Sequence, residues 1–124
     1  MVFDHIDLRV VDVARCRPFY DAFLKEYGFR GKPLPDGLQL YYRLEERAVR
    51  EIIVLNSDPN HRPNETRLAF HAPSRAEVDR IAAVAQAAGA RAYEPPAACA
   101  EYTETYYAAF FEDPDGNKLE VVNR

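Results

Sequence analysis

The chain has 124 residues, 48% of them hydrophobic and 29% charged, which is the size and composition of one globular domain. Sixteen Lys and Arg against twenty Asp and Glu give a net charge of −4. We therefore expect no nucleic acid or membrane partner, and a small-molecule ligand is favoured. No apolar run approaches the roughly 20 residues that a membrane helix needs, and the N-terminus is too polar for a signal peptide. Two cysteines are too few for a disulfide framework, so we expect a cytoplasmic protein.

The first half of the chain begins with a strand over Val2–Val11, in which apolar and polar residues alternate. Asp12 can cap a following helix, whose regular part we expect to start near Pro18 and to end at Gly28. Three short strands are then predicted, followed by a polar loop. The ranges are Gly28–Lys32, Leu38–Leu44 and Val49–Leu55 for the strands and Asn56–Glu65 for the loop.

The second half repeats this order of elements. A strand over Arg67–Ala72 precedes a helix that starts after the capping box at Ser74 and ends at Gly89. A short strand near Arg91–Glu94 leads into a linker that contains Pro95 and Pro96. The last two strands are joined by a turn that contains Gly116; their predicted ranges are Thr103–Glu112 and Lys118–Val122.

The β-α-β-β-β order therefore occurs twice, which indicates a duplicated module. The modules span roughly residues 1–56 and 66–124, joined by a loop over 57–65, within one α+β domain. His5 is aligned with His71 at an offset of 66, and Ile53 with Glu120 at an offset of 67.

The polar faces of the predicted strands carry the candidate site. If helices cover the apolar faces, the polar side chains line an opposite, concave face. Two imidazoles and one carboxylate, from His5, His71 and Glu120, are a set that holds a divalent ion and leaves positions open for substrate. We expect Ile53 to face the same cavity. Other side chains expected there, as substrate contacts, wall residues or internal ion pairs, are Asp7, Arg9, Gln39, Tyr41, Arg43, Arg67 and Tyr106.

Three segments carry a resemblance to a known family: FDHIDLRVVDVARCRPFYDAFL, LAFHAPSRAEVDRI and AFFEDPDGNKLEVV. They resemble the vicinal oxygen chelate superfamily, which includes glyoxalase I, bleomycin-resistance proteins, fosfomycin-resistance enzymes and extradiol dioxygenases. The resemblance implies paired βαβββ modules that form an open, barrel-like mixed sheet with the helices outside. It also implies a homodimer and a divalent metal ion (Zn, Ni, Mn or Fe) held by His5, His71 and Glu120, with Glu120 also as a catalytic base.

The resemblance is incomplete at one position. Glyoxalase I has a fourth protein ligand near the end of its first module, where this chain has Ile53, which cannot bind a metal. Glu51 could replace that ligand only after a change of register. A three-ligand site is more similar to those of the dioxygenases and the fosfomycin enzymes.

Two functions follow from the resemblance. The first is a metal-dependent lyase, dioxygenase or resistance enzyme, in which the metal acts as a Lewis acid on a small oxygen-bearing substrate. The alternative is a non-catalytic protein of the bleomycin-resistance type, which sequesters an aromatic or cationic compound.

Overall fold

The computed structural model describes residues 2–124, which form two compact units. The first unit runs to Arg62 and the second spans Pro63–Arg124. Each unit contains one βαβββ module with a four-stranded mixed sheet and one long helix. The predicted α+β class and the paired modules are confirmed.

In the first unit, the two strands at the ends of the module are parallel neighbours. The strand order is β1-β4-β3-β2, with β1 parallel to β4 and the other pairs antiparallel. The elements are β1 (His5–Val10), α1 (Val13–Lys25), β2 (Arg30–Pro33), a short 3-10 turn (Pro35–Gly37), β3 (Gln39–Glu45) and β4 (Ala48–Ser57).

Helix α1 begins earlier than predicted, at Val13 rather than near Pro18, which lies inside the helix. The side chain of Asp12 accepts a hydrogen bond from the backbone N–H of Ala14 at 3.0 Å and caps the helix. Val13 and Cys16 in the first turn are buried. The cap and this burial hold the first turn, although Pro18 cannot donate a backbone hydrogen bond.

The second unit repeats the topology with the order β5-β8-β7-β6, in which β5 is parallel to β8. The hydroxyl of Ser74 accepts from the backbone N–H of Glu77 at 3.1 Å, which confirms the predicted cap. The elements are β5 (Arg67–His71), α2 (Arg75–Ala87), β6 (Arg91–Ala98), β7 (Tyr107–Glu112) and β8 (Lys118–Asn123).

Strand β6 differs from its prediction because it continues through Pro95 and Pro96 to Ala98. An edge strand with register shifts tolerates proline, since the missing N–H need not pair with a neighbour. Strand β7 starts at Tyr107 rather than at Thr103, and turns occupy most of the interval after Cys99.

The β7–β8 turn is confirmed. The buried carboxylate of Asp113 accepts from the backbone N–H groups of Asp115 and Asn117 at 2.8 and 3.0 Å. Gly116 has a φ of +95°, which a glycine adopts without strain.

The two faces of each sheet have different surroundings. In the first sheet, Ile6, Ile53 and Tyr41 form one row across the strands, and the hydroxyl of Tyr41 reaches Asp21 on α1. We call this face, and the equivalent face toward α2 in the second sheet, the helix side; the opposite face of each sheet is its open face. Side chains alternate between these faces along a strand.

Both α1 and α2 have 13 residues, and no helix within residues 2–124 is long and apolar enough to cross a membrane.

Candidate site on the open sheet faces

The helix caps fix which residues of the two modules correspond. The N-cap residues Asp12 and Ser74 are 62 residues apart, and both helices have 13 residues. The same offset relates the first residue of β1, His5, to the first residue of β5, Arg67. The predicted correspondence of His5 with His71 is therefore wrong, because the position equivalent to His5 is occupied by Arg67.

The strand ladders fix the correspondence between β4 and β8. Leu8 is paired with Leu55, and its equivalent Phe70 is paired with Val121, so these strands are related by an offset of 66. Both strands also end 66 residues apart, at Ser57 and Asn123. The position equivalent to Glu120 is consequently Val54 and not Ile53.

Two further predictions about β4 are corrected by its register. Ile53 is only 5% exposed and faces the helix side rather than the cavity. Glu51 is two residues away on the same strand and therefore faces the same side, where one of its carboxylate oxygens accepts a hydrogen bond from Nε of Arg43 at 3.0 Å. Neither Ile53 nor Glu51 shares a face with His5, so neither occupies a fourth ligand position beside it.

Three residues of β3 predicted on the polar, concave face lie on the helix side instead: Gln39, Tyr41 and Arg43. Tyr41 is 1% exposed, and its hydroxyl donates to the carboxylate of Asp21 at 2.7 Å. Leu40 and Tyr42 alternate with these residues and lie on the open face. Both alternating sets of β3 contain large side chains, so the pattern does not show which set faces the helix. The prediction that Tyr41 and Arg43 contact substrate on the open face is therefore wrong.

The remaining predicted site residues that belong to strands lie on the open faces of their own sheets, whereas Tyr106 directly precedes β7. His5, Asp7 and Arg9 share the open face of the first sheet. Arg67, His71 and Glu120 share the open face of the second sheet. Each group belongs to a different unit.

Glu120 is the central polar group of the second open face. It is 5% exposed, although it carries a carboxylate and lies on the side away from α2. The hydroxyl of Tyr106 donates a hydrogen bond to it. Burial and this bond raise the pKa of Tyr106 to about 12, so the phenol stays protonated and remains a donor.

An apolar cluster lies on the same open face as Glu120. Cys99, Ala108 and Val122 form its buried members, and Tyr106 and Phe110 pack against them. Burial, with the nearby carboxylates, raises the pKa of the Cys99 thiol. The segment after β6 thus lies at one end of the open face, where Tyr106 contacts Glu120.

Two cationic side chains lie on the same open face. The guanidinium of Arg67 is 4.8 Å from the ring centroid of Phe110, which is a cation–π distance. Lys118 is paired with Arg67 across the β5–β8 ladder, and its Nζ is 2.8 Å from a carboxylate oxygen of Glu65. This contact lowers the pKa of Glu65. Both cations are within two ladder positions of Glu120.

The two histidines have different environments. His71 lies opposite Val122, one diagonal step from Glu120, which lies opposite Ala69. His5 belongs to the first unit and is exposed. Its Nδ1 is 2.7 Å from the carboxylate of Asp4, and this hydrogen bond raises the pKa of His5.

These donors fit a divalent ion poorly. Among the described residues, no three His, Cys, Asp or Glu side chains are placed to hold a metal ion. In the second unit the position equivalent to His5 is occupied by Arg67, whose guanidinium is not a metal ligand. The predicted site of two His and one Glu is not confirmed and stays a prediction.

Sequence reasoning missed the wall of this site. The site predicted from the sequence does not include Cys99, Phe110 or Val122. The sequence carries only a weak signal for these wall residues, because the hydrophobic pattern of a strand does not distinguish an apolar residue on the open face from one in the core. The contact of Tyr106 with Glu120 joins residues 14 positions apart, which no periodicity predicts.

Comparisons with known proteins agree with this architecture. A model of the glyoxalase/bleomycin resistance protein/dioxygenase superfamily matches residues 2–121. An uncharacterized protein, YqjT of Bacillus subtilis (strain 168), is 31% identical over 126 residues, with 95% of both chains covered.

Solved structures match over nearly the whole chain. A glyoxalase/bleomycin resistance protein from Albidiferax ferrireducens T118 has a TM-score of 0.77 and 27% identity, with both chains fully covered. The fosfomycin resistance protein FosX from Listeria monocytogenes has a TM-score of 0.73 and 16% identity, covering 98% of this chain and 92% of that chain. The likeness to FosX, at this identity, concerns the fold alone.

Proposed function

Because the chain belongs to the glyoxalase/bleomycin resistance protein/dioxygenase superfamily, we propose that it binds a small organic molecule on the open face of its second sheet without a metal ion. One observation carries this proposal. Arg67 occupies the position in the second module that is equivalent to His5 in the first. A guanidinium cation, and not an imidazole, therefore lies near Glu120. The proposed function is the sequestration of a ligand.

The chemistry of the face indicates what the ligand offers. A carboxylate has about four acceptor positions, and the hydroxyl of Tyr106 uses one of them at Glu120. The ligand therefore supplies an N–H or O–H donor to Glu120. Phe110 and Val122 provide apolar walls beside it, which suits a ligand with an aromatic ring. In this account Tyr106 positions the carboxylate, and Glu120 contacts the ligand.

Metal-free bleomycin, a cationic aromatic compound, is a suitable probe. We expect saturable binding by isothermal titration calorimetry with EDTA present, and a loss of at least about tenfold in affinity for Glu120→Gln, which removes the charge from a buried hydrogen bond. Glu46→Gln, in the exposed β3–β4 turn, is the matched control and should bind like the wild type. Binding that appears only when a divalent metal is added would contradict the proposal, as would equal affinities of wild type and Glu120→Gln.

A metal-dependent enzyme is the second candidate. The observation that favours it is that His71 and Glu120 share the open face of the second sheet, one diagonal step apart. With His5 they would form the donor set of two imidazoles and one carboxylate that suits Zn, Ni, Mn or Fe. This candidate requires metal binding that depends on all three side chains.

We also propose that the protein is a homodimer. Leu40, Tyr42, Ile52 and Val54 give the open face of the first sheet a half-buried apolar strip, which supports an assembly that covers it. Light scattering at micromolar concentration should give twice the chain mass of 14.2 kDa. A mass equal to that of one chain would contradict this expectation.

A further inference from the structure

The side chain of Arg67 crosses the open face of the second sheet. Arg67 lies on β5, opposite Lys118 of β8, and its guanidinium is 4.8 Å from the ring centroid of Phe110 on β7. Because β8 separates β5 from β7, the guanidinium extends over β8 to reach that ring. Phe110 is directly opposite Glu120 in the β7–β8 ladder. The cation is therefore held close to the buried carboxylate of Glu120.

Arg67 is exposed, and no carboxylate of the described residues forms an ion pair with it. Glu65, two residues before it, is instead bound by Nζ of Lys118 at 2.8 Å. Arg67 adds to the lowering of the pKa of Glu65, but Lys118 is the larger cause. The contact of Arg67 with Phe110 is to an aromatic ring, which leaves the N–H donors of the guanidinium without an oxygen acceptor. Of the two cations on this face, Arg67 is therefore the one available to an anion.

The carboxylate of Glu120 also keeps one oxygen available. Tyr106 donates to Oε1, whereas Oε2 has no donor within residues 2–124 and is not sealed inside the protein. In the same part of the chain, no ion pair joins Glu120 to Arg67, although their charges are opposite and they share a face. One anionic acceptor and one cationic donor thus lie on one face, and neither satisfies the other.

The first module lacks this arrangement. The ladder registers give the equivalent residues as His5, Val54 and Leu40 in place of Arg67, Glu120 and Phe110. His5 also has an acid beside it, because its Nδ1 is 2.7 Å from the carboxylate of Asp4, whereas the residue that precedes Arg67 is Thr66. The fold therefore does not require a cation, a carboxylate and an aromatic ring at these positions, which indicates that they serve a ligand.

We propose that Arg67 binds a carboxylate of the ligand, so that the ligand is a zwitterion with an aromatic ring. This inference rests on the proposed function, in which Glu120 accepts a hydrogen bond from the ligand. The ligand's ammonium group donates to Oε2 of Glu120, and its carboxylate accepts from Arg67. A guanidinium donates two parallel hydrogen bonds to a carboxylate, a geometry that a lysine cannot reproduce. An aromatic amino acid is a compound of this class.

The two charges of the face disfavour ligands that carry only one charge. A ligand with an ammonium group alone brings a second cation close to Arg67 and leaves the guanidinium without a partner. A ligand with a carboxylate alone brings a second anion close to Glu120. In a zwitterion each charge of the ligand meets an opposite charge of the protein.

L-Phenylalanine is the probe for this arrangement. Phenethylamine lacks only its carboxylate, and 3-phenylpropionate lacks only its ammonium group. The protein is stripped of metal on a chelating resin, so that no soluble polycarboxylate competes for Arg67. In ¹H–¹⁵N chemical-shift titrations we expect phenylalanine to bind at least about tenfold more tightly than either matched ligand, because each of them leaves one charge of the face unpaired.

Substitutions assign each half of this preference to one side chain. Arg67→Met should bind phenylalanine and phenethylamine within about twofold of each other, and Arg67→Lys should keep part of the preference, because it retains the charge without the two parallel bonds. Glu120→Gln should instead lose the preference for phenylalanine over 3-phenylpropionate. Arg80→Met, on the exposed surface of α2, is the matched control and should bind like the wild type. The thermal midpoint of each variant shows whether it is folded.

Three results would overturn the inference. They are no saturable binding of phenylalanine, equal affinities of the wild type for phenylalanine and phenethylamine, and a preference that survives Arg67→Met, as it would if Lys118 held the carboxylate. The proposed function would still stand in these cases if Glu120→Gln weakened the binding of metal-free bleomycin. If Glu120→Gln changed the affinity of no ligand while Arg67→Met abolished the preference over phenethylamine, the proposed function would fail and Arg67 would remain the residue that binds the carboxylate.

Discussion

The two modules share one topology, yet they bury their polar groups on opposite sides of their sheets. In the first module Gln39 and Tyr41 are buried on the helix side, where the second module has Ala109 and Phe111. On the open face it is the second module that has the buried polar group, because Glu120 lies at the position equivalent to Val54 of the first module. The duplication has therefore kept the strand order and register while the positions of the buried polar groups have diverged.

This comparison separates the requirements of the fold from those of the sites. A βαβββ module needs an apolar row beneath its helix, which Ile53 supplies in the first module and Leu119 in the second. A buried carboxylate or carboxamide adds a desolvation cost that the fold does not require. Polar groups found in only one of two equivalent modules are therefore the best indicators of function.

Neighbouring substitutions in β4 test the register on which the comparison depends. Ile53→Glu places a charge on the helix side, whereas Val54→Glu places it on the open face, at the position equivalent to Glu120. We expect Ile53→Glu to lower the free energy of unfolding by at least about 2 kcal/mol more than Val54→Glu, because a buried, unpaired charge is strongly destabilising. Urea unfolding of the two variants measures this difference. Equal losses, or a larger loss for Val54→Glu, would show that the assigned faces are wrong.

Removal of the Tyr106 hydroxyl tests the polar pair of the second module. Tyr106→Phe leaves the carboxylate of Glu120 without this donor, and we expect a loss of about 1–3 kcal/mol in the free energy of unfolding. Tyr102→Phe is the control, because Tyr102 is exposed and contacts Tyr106 through its ring. A cost for Tyr102→Phe as large as that for Tyr106→Phe would count against a specific role of the hydroxyl.

The smallest expected effect is at His5, the residue equivalent to Arg67. Its hydrogen bond to Asp4 stabilises the imidazolium, so the pKa of His5 should lie above the usual 6.5 and fall in Asp4→Asn. Because the folded-state pKa is raised, any stabilisation is fully present below pH 6.5 and is lost as the pH rises through the raised pKa. An NMR titration of the His5 ring measures it. An unchanged pKa in Asp4→Asn would mean that the contact is absent in solution.

The elements were predictable because apolar periodicity carries that information. Alternation identified β1 and β5, and the capping box at Ser74 identified the start of α2. The start of α1 differs from the prediction, because the cap at Asp12 outweighs the effect of Pro18 on the helix. Local propensity was overruled there by the burial of the first turn.

The candidate site was only partly predictable. Alternation predicts the open-face positions of His5, His71 and Glu120. The similar triplets that end at His5 and His71 suggest a wrong pairing of the modules, because they do not occupy equivalent positions of β1 and β5. An alignment on the helix caps would have identified Arg67 as the equivalent of His5. The side occupied by Tyr41 could not be predicted from the pattern, since both alternating sets of β3 contain apolar or aromatic residues and only the contact with Asp21 distinguishes them.

The most direct test of metal-independent binding is a calorimetric titration of the metal-free protein with Zn²⁺, Ni²⁺ and Mn²⁺ at fixed pH. We expect the wild type to bind none of them more tightly than about millimolar, because Arg67 occupies the position equivalent to His5 and supplies no metal ligand beside Glu120. Arg67→His replaces this guanidinium with an imidazole, which is a metal ligand, and should tighten metal binding at least about tenfold. Stoichiometric, micromolar binding by the wild type that is lost in both His71→Ala and Glu120→Gln would contradict the account and establish the metal-dependent enzyme instead.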